Sequence, residues 1–366
     1  MRVSVNHSGG PGAASEPVRR ATMRDVAALS GVSIKTVSRV INGVPSVSEE
    51  LRDRVTRAIA RLDFQPNLAA SSLRRTDGAT RQIALLLEDV ANPFSATLSR
   101  AVEDAAREHG TLVLAGSLDE DPQRERELVR AATLHRVDGI LLVPAGPDHG
   151  YLHREIRNGT PVVFADRPPR GLAADAVLSA NAEGARRAVL HLADHGHTEI
   201  AFLGDGHRIS TAVERLAGYR AALAERGLPE RPGRAVWDLS DPRSAAEAVA
   251  AMLDSDDPPT ALFTAQNLVT IGAIRTLQAR GLHGEVAVVG FDDFPMADLL
   301  MPRVTVVAQD VAGIGALAVR RLFERIAGDT SPPREERVPT ALVVRGSGEI
   351  PPAAGRWSGA GGSAPR

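Results

Sequence analysis

The chain contains no cysteine. Disulfides, thiolate metal sites, iron–sulfur clusters and a cysteine nucleophile are excluded together. Aromatic residues are scarce, at 3% of 366 positions, so Leu, Val, Ile and Ala must fill any core; the 43% apolar fraction is enough to supply one. Lysine is almost missing as well: of 43 basic residues, all but Lys35 are arginine. No apolar run reaches the ~18–20 residues that span a bilayer. Residues 1–20 hold Arg2, Arg19 and Arg20 without the apolar stretch of a secretory leader. A soluble, cytoplasmic chain is expected, long enough for two or three domains.

Catalytic signatures are missing too. There is no Walker loop, nucleophile elbow or zincin motif, and Gly313-Ile-Gly315 lacks the third glycine and the preceding strand of a dinucleotide loop. His191, His195 and His197 have no third ligand at metal-binding spacing, so a helix end followed by a turn explains them better than a metal. Asp119-Glu120-Asp121 reads as the acidic N-terminus of a helix. No enzyme, cofactor or metal is expected.

What is present is unevenly distributed. The net charge is −2, yet Val18–Arg81 carries 12 basic against 6 acidic residues. A basic head on an acidic body suits nucleic acid; a chance fluctuation in an Arg-rich chain is the alternative. Residues 1–20 and 351–366, rich in Gly, Ser, Pro and Ala, read as a disordered extension and a loose tail. Residues 21–65 read as three short helices and 66–80 as a connector. Through 81–350, apolar runs alternate with amphipathic stretches: Ile83–Leu87, Thr111–Ala115, Gly139–Val143, Pro161–Ala165, Ile200–Leu203, Ala261–Thr264 and Val286–Gly290. Continuous rather than alternating runs indicate strands buried on both faces. About seven such units predict two Rossmann-like parallel sheets, hence two lobes.

In the head, Thr22 with Asp25 forms a capping box. The first helix turns Val26, Ala27 and Leu29 inward, Gly31 permits a tight turn, and Ser33 caps a second helix. Val37, Val40 and Ile41 fall on one side of that helix, leaving Ile34, Lys35, Thr36, Ser38 and Arg39 on the other. One aliphatic, two cations and two hydroxyls suit a major groove: Arg39 can fork onto guanine, Lys35 can reach guanine or phosphate, and Ile34 can touch a thymine methyl. Leu51, Val55, Ile59 and Leu62 of a third helix, opened by Ser48, complete a small core. A generic three-helix bundle with a solvated basic face is the alternative.

Thr22 to Asn42, together with Phe64-Gln-Pro-Asn-Leu-Ala-Ala-Ser-Ser-Leu73, resembles the head and hinge of the LacI–GalR repressor family, and the likeness runs over roughly 21–350. The resemblance implies a small helix-turn-helix head on an α/β two-lobed core of the type I periplasmic-binding-protein kind. It gives base reading to Ile34, Lys35 and Arg39, and duplex positioning to Ser33, Thr36, Ser38 and Asn42. It makes Leu73 a wedge for the minor groove. Ser71 replaces a frequent arginine two positions earlier, for which Arg74 and Arg75 can compensate. An inert linker is the alternative for this segment.

The resemblance also puts an effector between the lobes, at loops after strand C-termini. Asp166, Arg215, Gln266 and Asp292 match its polar contacts, with Phe94 and Phe291 flanking them. Gln266-Asn267 stands where the family usually has Asn-Asp, so one carboxylate is missing. Carboxylates and a forked arginine suit a polyol. The expected protein is a DNA-binding regulator, a repressor acting as a homodimer on double-stranded operator DNA and governed by a sugar or sugar derivative. A nucleobase or nucleoside effector is the alternative, and a solute-binding protein a more distant one. The first lobe is expected at about 81–178 and 310–330, the second at 179–308 and 331–350.

Overall fold

The computed structural model describes residues 21–41, 44–65 and 79–353. Asn42, Leu73 and Arg74, the connector 66–78, and the segments 1–20 and 354–366 lie outside the described residues. The chain divides into two units, Met1–Thr80 and Arg81–Arg366.

The first unit holds α1 (Met23–Ser30), α2 (Ile34–Ile41) and α3 (Glu49–Arg61). Thr22 and Asp25 form the reciprocal cap: the Asp25 N–H donates to Thr22 Oγ1 at 3.4 Å, and the Thr22 N–H to Asp25 Oδ2 at 2.8 Å. Gly31 ends α1 at φ 64°, and the Ser33 hydroxyl accepts the Thr36 N–H at 3.1 Å to start α2. Val26, Val37 and Val55 are fully buried, with Ala27, Ala58 and Phe64 around them. Leu29, expected inside, is 43% exposed. The helical period from Val26 lands on Ser30, which is buried and returns its hydroxyl to the Val26 carbonyl at 2.6 Å.

The second unit is built on two six-stranded sheets. The first orders β11-β5-β4-β3-β1-β2, where β1 is Gln82–Leu87, β2 Leu112–Ser117, β3 Gly139–Leu142, β4 Val162–Ala165, β5 Asp175–Ser179 and β11 Glu335–Val338. The second orders β12-β10-β9-β8-β6-β7, where β6 is Ile200–Leu203, β7 Ala235–Val236, β8 Ala261–Thr264, β9 Ala287–Phe291, β10 Thr305–Gln309 and β12 Thr340–Val343. All pairings are parallel except β10 with β12.

Side chains alternate between two cores. Ile83, Leu85 and Leu87 of β1 enter one cluster, and Ala84 and Leu86 the other. In β8, Ala261 and Phe263 face one way and Leu262 the other. Burial on both faces is why these strands read as unbroken apolar runs. The chain passes between lobes at three places: after β5, after β10, and between β11 and β12. One expected boundary moves. Residues 335–338 pair with β5 and so belong to the first lobe, not the second. The strand Glu-Glu-Arg-Val is a charged sheet edge with three exposed residues, which hides it from a search for apolar runs.

Asp175 fixes that edge. It is 3% exposed and accepts Arg321 Nε at 2.9 Å, Arg325 Nε at 2.6 Å and the Arg334 N–H at 2.9 Å. Burial alone would raise its pKa; the bonds from Arg325, the Arg334 backbone and Arg321 outweigh that and hold it below the usual carboxylate range. Asp175→Asn removes the anion shared by two partly buried guanidiniums, of which Arg321 keeps Glu324 and Asp329, and the second unit is expected to lose about 3 kcal/mol in urea unfolding at neutral pH. Because the folded carboxyl titrates lower than the unfolded one, its contribution is complete above the ordinary carboxylate range. It is lost as pH falls through the folded value, so wild type and variant should converge in acid. An equal gap at every pH would refute this assignment.

Candidate functional site

In the first unit, α2 presents Ile34, Lys35, Ser38 and Arg39 over an arc of about 140° of the helix. Ile34, Lys35 and Arg39 are exposed, while Val37, on the opposite side, is fully buried. Ser33 is exposed, and Thr36 and Ser38 are partly so. The Ser33 and Thr36 hydroxyls lie 2.9 Å apart at the start of the helix. Ile34, at 42% exposure, is an aliphatic side chain left in water beside two cations.

In the second unit a cleft between the lobes collects the strand ends. It offers about 100 Å³ to water centres, where one water needs roughly 10–15 Å³. That is room for several waters or for one small polar molecule. Asp166 follows β4 and Asp292 follows β9, and the two share one local geometry. Both are left-handed, at φ 63° and 71°, a conformation that costs an ordinary residue about 1–2 kcal/mol. Each N–H carries the ladder one step further, Asp166 to the Val177 carbonyl at 2.9 Å and Asp292 to the Val307 carbonyl at 2.9 Å. The same turn in each lobe thus swings an aspartate out of the sheet into the cleft.

Arg215 is 4% exposed, from α8 (Ser210–Glu225), which follows α4 (Pro93–Glu108), α5 (Pro122–Leu134), α6 (His153–Arg157) and α7 (Asn181–Asp194) along the chain. Its Nε donates to Asn181 Oδ1 at 2.9 Å, and its Nη1 to the Ala265 carbonyl at 2.8 Å and Asp292 Oδ2 at 3.4 Å. The guanidinium carbon sits 3.8 Å over the Phe291 ring. Nη2 finds no acceptor among the described residues. Gly218 makes this possible: a Cβ there would stand 2.1 Å from the Ala182 carbonyl oxygen, so only glycine lets α8 come close enough to α7 for Arg215 to reach Asn181.

Phe291, expected to flank the ligand, is fully buried and does not line the cleft. It is a platform under Arg215, because the last residue of a two-faced strand points into the core. Phe94 does line the cleft, although most of it is packed among β1 and its neighbours. Gln266 lines it too, but its Oε1 caps α10 (Asn267–Ala279), which follows α9 (Pro242–Leu253), by accepting the Val269 N–H at 3.2 Å. Its Nε2 reaches Asp205 at 3.5 Å.

Arg167, which follows Asp166 at the end of β4, lines the cleft as a strand-end residue should, whereas Glu88, Glu120, Asp205 and Gln309 were not singled out from sequence. Glu88 and Asp205 come directly after β1 and near the end of β6, so the strand-end rule could have found both. Glu120 was read as helix-end charge, but the cap is Asp121, which accepts the Gln123 N–H at 2.8 Å. Glu120 instead grips Arg167 with both oxygens, at 2.8 and 2.6 Å. Gln309 donates to Asp292 Oδ1 at 2.5 Å and accepts from Ser179 Oγ of β5, linking the cleft to two crossovers. Asn92 and Asn267 join the lobes directly at 2.9 Å.

Four buried polar atoms of this region have no hydrogen-bond partner among the described residues: Glu88 Oε2, Asp166 Oδ1, Arg167 Nε and Asn267 Oδ1. Burial pushes Glu88 up to about 7 and Asp166 up to about 6, each opposed by the charge of Arg167. Such atoms are seldom left unpaired in a folded chain unless something else satisfies them. The histidines have structural partners: His191 meets Glu349, His195 Nδ1 is 2.8 Å from the His191 carbonyl, and His197 lies between Thr260 and the Ile350 carbonyl at 2.9 and 2.7 Å. No described helix is long and apolar enough to cross a membrane.

Residues 22–67 match bacterial regulatory proteins of the lacI family, and residues 189–348 match a periplasmic binding protein-like domain. The HTH-type transcriptional regulator PtxS of Pseudomonas aeruginosa is 33% identical over 338 residues, covering 90% of this chain and 96% of that protein. The ribose operon repressor of Haemophilus influenzae is 32% identical over 308 residues, covering 84% of this chain and 92% of that protein. Among solved structures, the lac repressor dimer bound to operator and the anti-inducer ONPF superposes with a TM-score of 0.80 at 26% identity, covering 90% of this chain and 99% of that one. With a helix-turn-helix head, a two-lobed core and relatives a third identical over most of its length, this chain belongs to the lacI family of DNA-binding transcription regulators.

Proposed function

We propose that the chain is a repressor that binds a near-palindromic operator as a homodimer and is controlled by a sugar held between its lobes. The observation that carries the ligand half is the set of unsatisfied buried groups around Asp166, Arg167 and Arg215 in one cleft. Hydroxyl groups, each both donor and acceptor, complete such a set. A flat nucleobase calls for broad aromatic faces, and Phe94 is the one aromatic among the described lining residues. The names of two relatives, a ribose operon repressor and a lac repressor, agree with a sugar and an operator. Ile34, Lys35 and Arg39 read bases in this proposal, and Ser33, Thr36, Ser38 and Asn42 hold the head on phosphates. Leu73 and Arg74 of the connector complete the contact from the minor groove.

Two heads are needed because one short helix covers only a few base pairs. Exposed apolar residues supply candidate dimer faces: Val90, Leu112 and Leu114 on the first lobe, and Met296, Leu299 and Met301 on the second. The sugar acts by favouring one arrangement of the lobes about the three crossovers, which changes the presentation of two connectors to DNA.

Two measurements test this. Arg39→Ala is expected to weaken binding to the protein's own promoter region by about 10–100-fold, while non-operator DNA loses much less. A footprint indifferent to that change, or no footprint at any salt, refutes the DNA half. Arg215→Lys keeps a charge but not the fork. It is expected to weaken sugar binding by about 10–100-fold in calorimetry while the operator footprint persists. Undiminished sugar binding would remove Arg215 from the site.

A further inference from the structure

We infer that the cleft takes a sugar bearing a protonated amine, with the ammonium seated against Glu88 and Asp166. This rests on the sugar reading above and narrows it. The lining carries six acids, Glu88, Asp89, Glu120, Asp166, Asp205 and Asp292, against two bases, Arg167 and Arg215. Each base is partly engaged, although Arg167 Nε and Arg215 Nη2 stay unpaired among the described residues. Arg167 is gripped by Glu120 at 2.6 and 2.8 Å, and Arg215 serves Asn181, the Ala265 carbonyl and Asp292.

Glu88 and Asp166 are left over. Glu88, 6% exposed, accepts the Ser95 hydroxyl at 2.5 Å on one oxygen and nothing on the other. Asp166, 7% exposed, has Oδ1 unpartnered, and its other oxygen is 3.8 Å from Arg167 Nε, beyond a hydrogen bond. The two stand in the wall of the same cavity.

A neutral hydroxyl satisfies one acceptor but leaves the charge buried. An ammonium supplies three donors and the opposite charge, so it suits a wall that holds two unpaired carboxylate oxygens. A phosphate or carboxylate on the ligand can meet Arg167 Nε and Arg215 Nη2, but it faces six acids against two bases, so sugar phosphates and sugar acids are expected to bind more weakly than their neutral parents. The pKa direction agrees. Burial first, and Asp166 in part, raise Glu88 to about 7 against the pull of Arg167 and Ser95, so the empty cleft holds a proton where the filled one holds a cation.

Calorimetry of the full chain at pH 7 decides the matter, with D-glucosamine and D-galactosamine set against D-glucose, D-galactose, D-ribose, D-glucose 6-phosphate and D-gluconate. An amino sugar is expected to bind about tenfold or more tighter than its neutral parent, and the anions more weakly than theirs. Glu88→Gln is expected to bring the amino-to-neutral ratio to within about threefold of one. A neutral parent that binds as well as its amine, an anion that binds best, or a Glu88→Gln protein that keeps the preference overturns the inference and leaves the sugar reading standing. No binding of any of these sugars by a chain that still footprints its operator overturns both.

A second readout does not need a sugar. A raised folded pKa means the folded state holds the extra proton between the ordinary glutamate value and about 7, so wild-type stability falls as pH rises through that window. Glu88→Gln escapes the loss: its urea midpoint should exceed the wild type's at pH 8 and not at pH 5. A midpoint difference that ignores pH counts against a buried, uncompensated Glu88.

Discussion

A parallel strand covered on both faces has nowhere to place a polar side chain except at its ends, and the chemistry of the core unit follows from that constraint. Along β1, β3, β4, β6, β8 and β9 the middle residues are all buried. Polar groups crowd just beyond: Glu88, Asp166, Asp205, Gln266 and Asp292, all at the carboxyl ends. With two sheets facing each other, these ends meet in one cleft. The left-handed aspartates are the sharpest expression of this. Keeping the N–H in the ladder while turning the side chain out requires φ near 63° and 71° at a non-glycine position. Strain of that kind persists only where the surroundings over-determine it.

Arg215 converts these separate ends into one structure. Its ring platform is Phe291, its anchors are Asn181 and the Ala265 carbonyl, and its ionic partner is Asp292. Asp292 then accepts Gln309, and Gln309 accepts Ser179. Asn181 and Ser179 flank the first crossover, and Gln309 begins the second. A group that displaces Asp292 from Gln309 therefore acts at two of the three places where the chain crosses between lobes. Other polar bonds cross between lobes as well: Asn92 meets Asn267 at 2.9 Å, Arg170 reaches the Arg208 carbonyl at 3.5 Å, and Arg337 of β11 forks onto Glu214 of α8 at 2.9 and 3.1 Å.

Much of this was legible in the residues, for reasons that also explain the failures. Thr22 with Asp25, Gly31 and Ser33 are local signals, read by neighbours three or four positions away, and each acts as its type dictates. Strands buried on both faces announce themselves by composition. A strand defined only by its neighbour does not: Glu335–Val338 is charged and exists because β5 offers it a ladder and Arg334 offers Asp175 a backbone N–H. Leu29 was misplaced because hydrophobicity was allowed to outweigh helical phase, whereas Ser30 can be buried by returning its hydroxyl to the backbone. The cleft followed the same divide. Asp166 and Asp292 sit where strand ends put them, while Glu120 needed Arg167, 47 residues away, before its role could be seen. Phe291 was assigned by adjacency to Asp292, and adjacent residues on a strand point opposite ways.

The two surfaces differ in how much their physics discloses. Lys35 and Arg39 are exposed, and an exposed cation bears no trace of the partner it waits for. Which bases they meet is therefore a property of the operator as much as of α2. Several polar side chains of the cleft wall are buried, so each such atom must find a partner or destabilise the fold. Glu88 Oε2 and Asp166 Oδ1 have none among the described residues. Arg167 Nε, a donor, is unpaired as well, so the unmet valences of the cleft call for a partner carrying both donors and acceptors. The desolvation that makes this unit less stable when empty is thus the same property that makes its ligand readable.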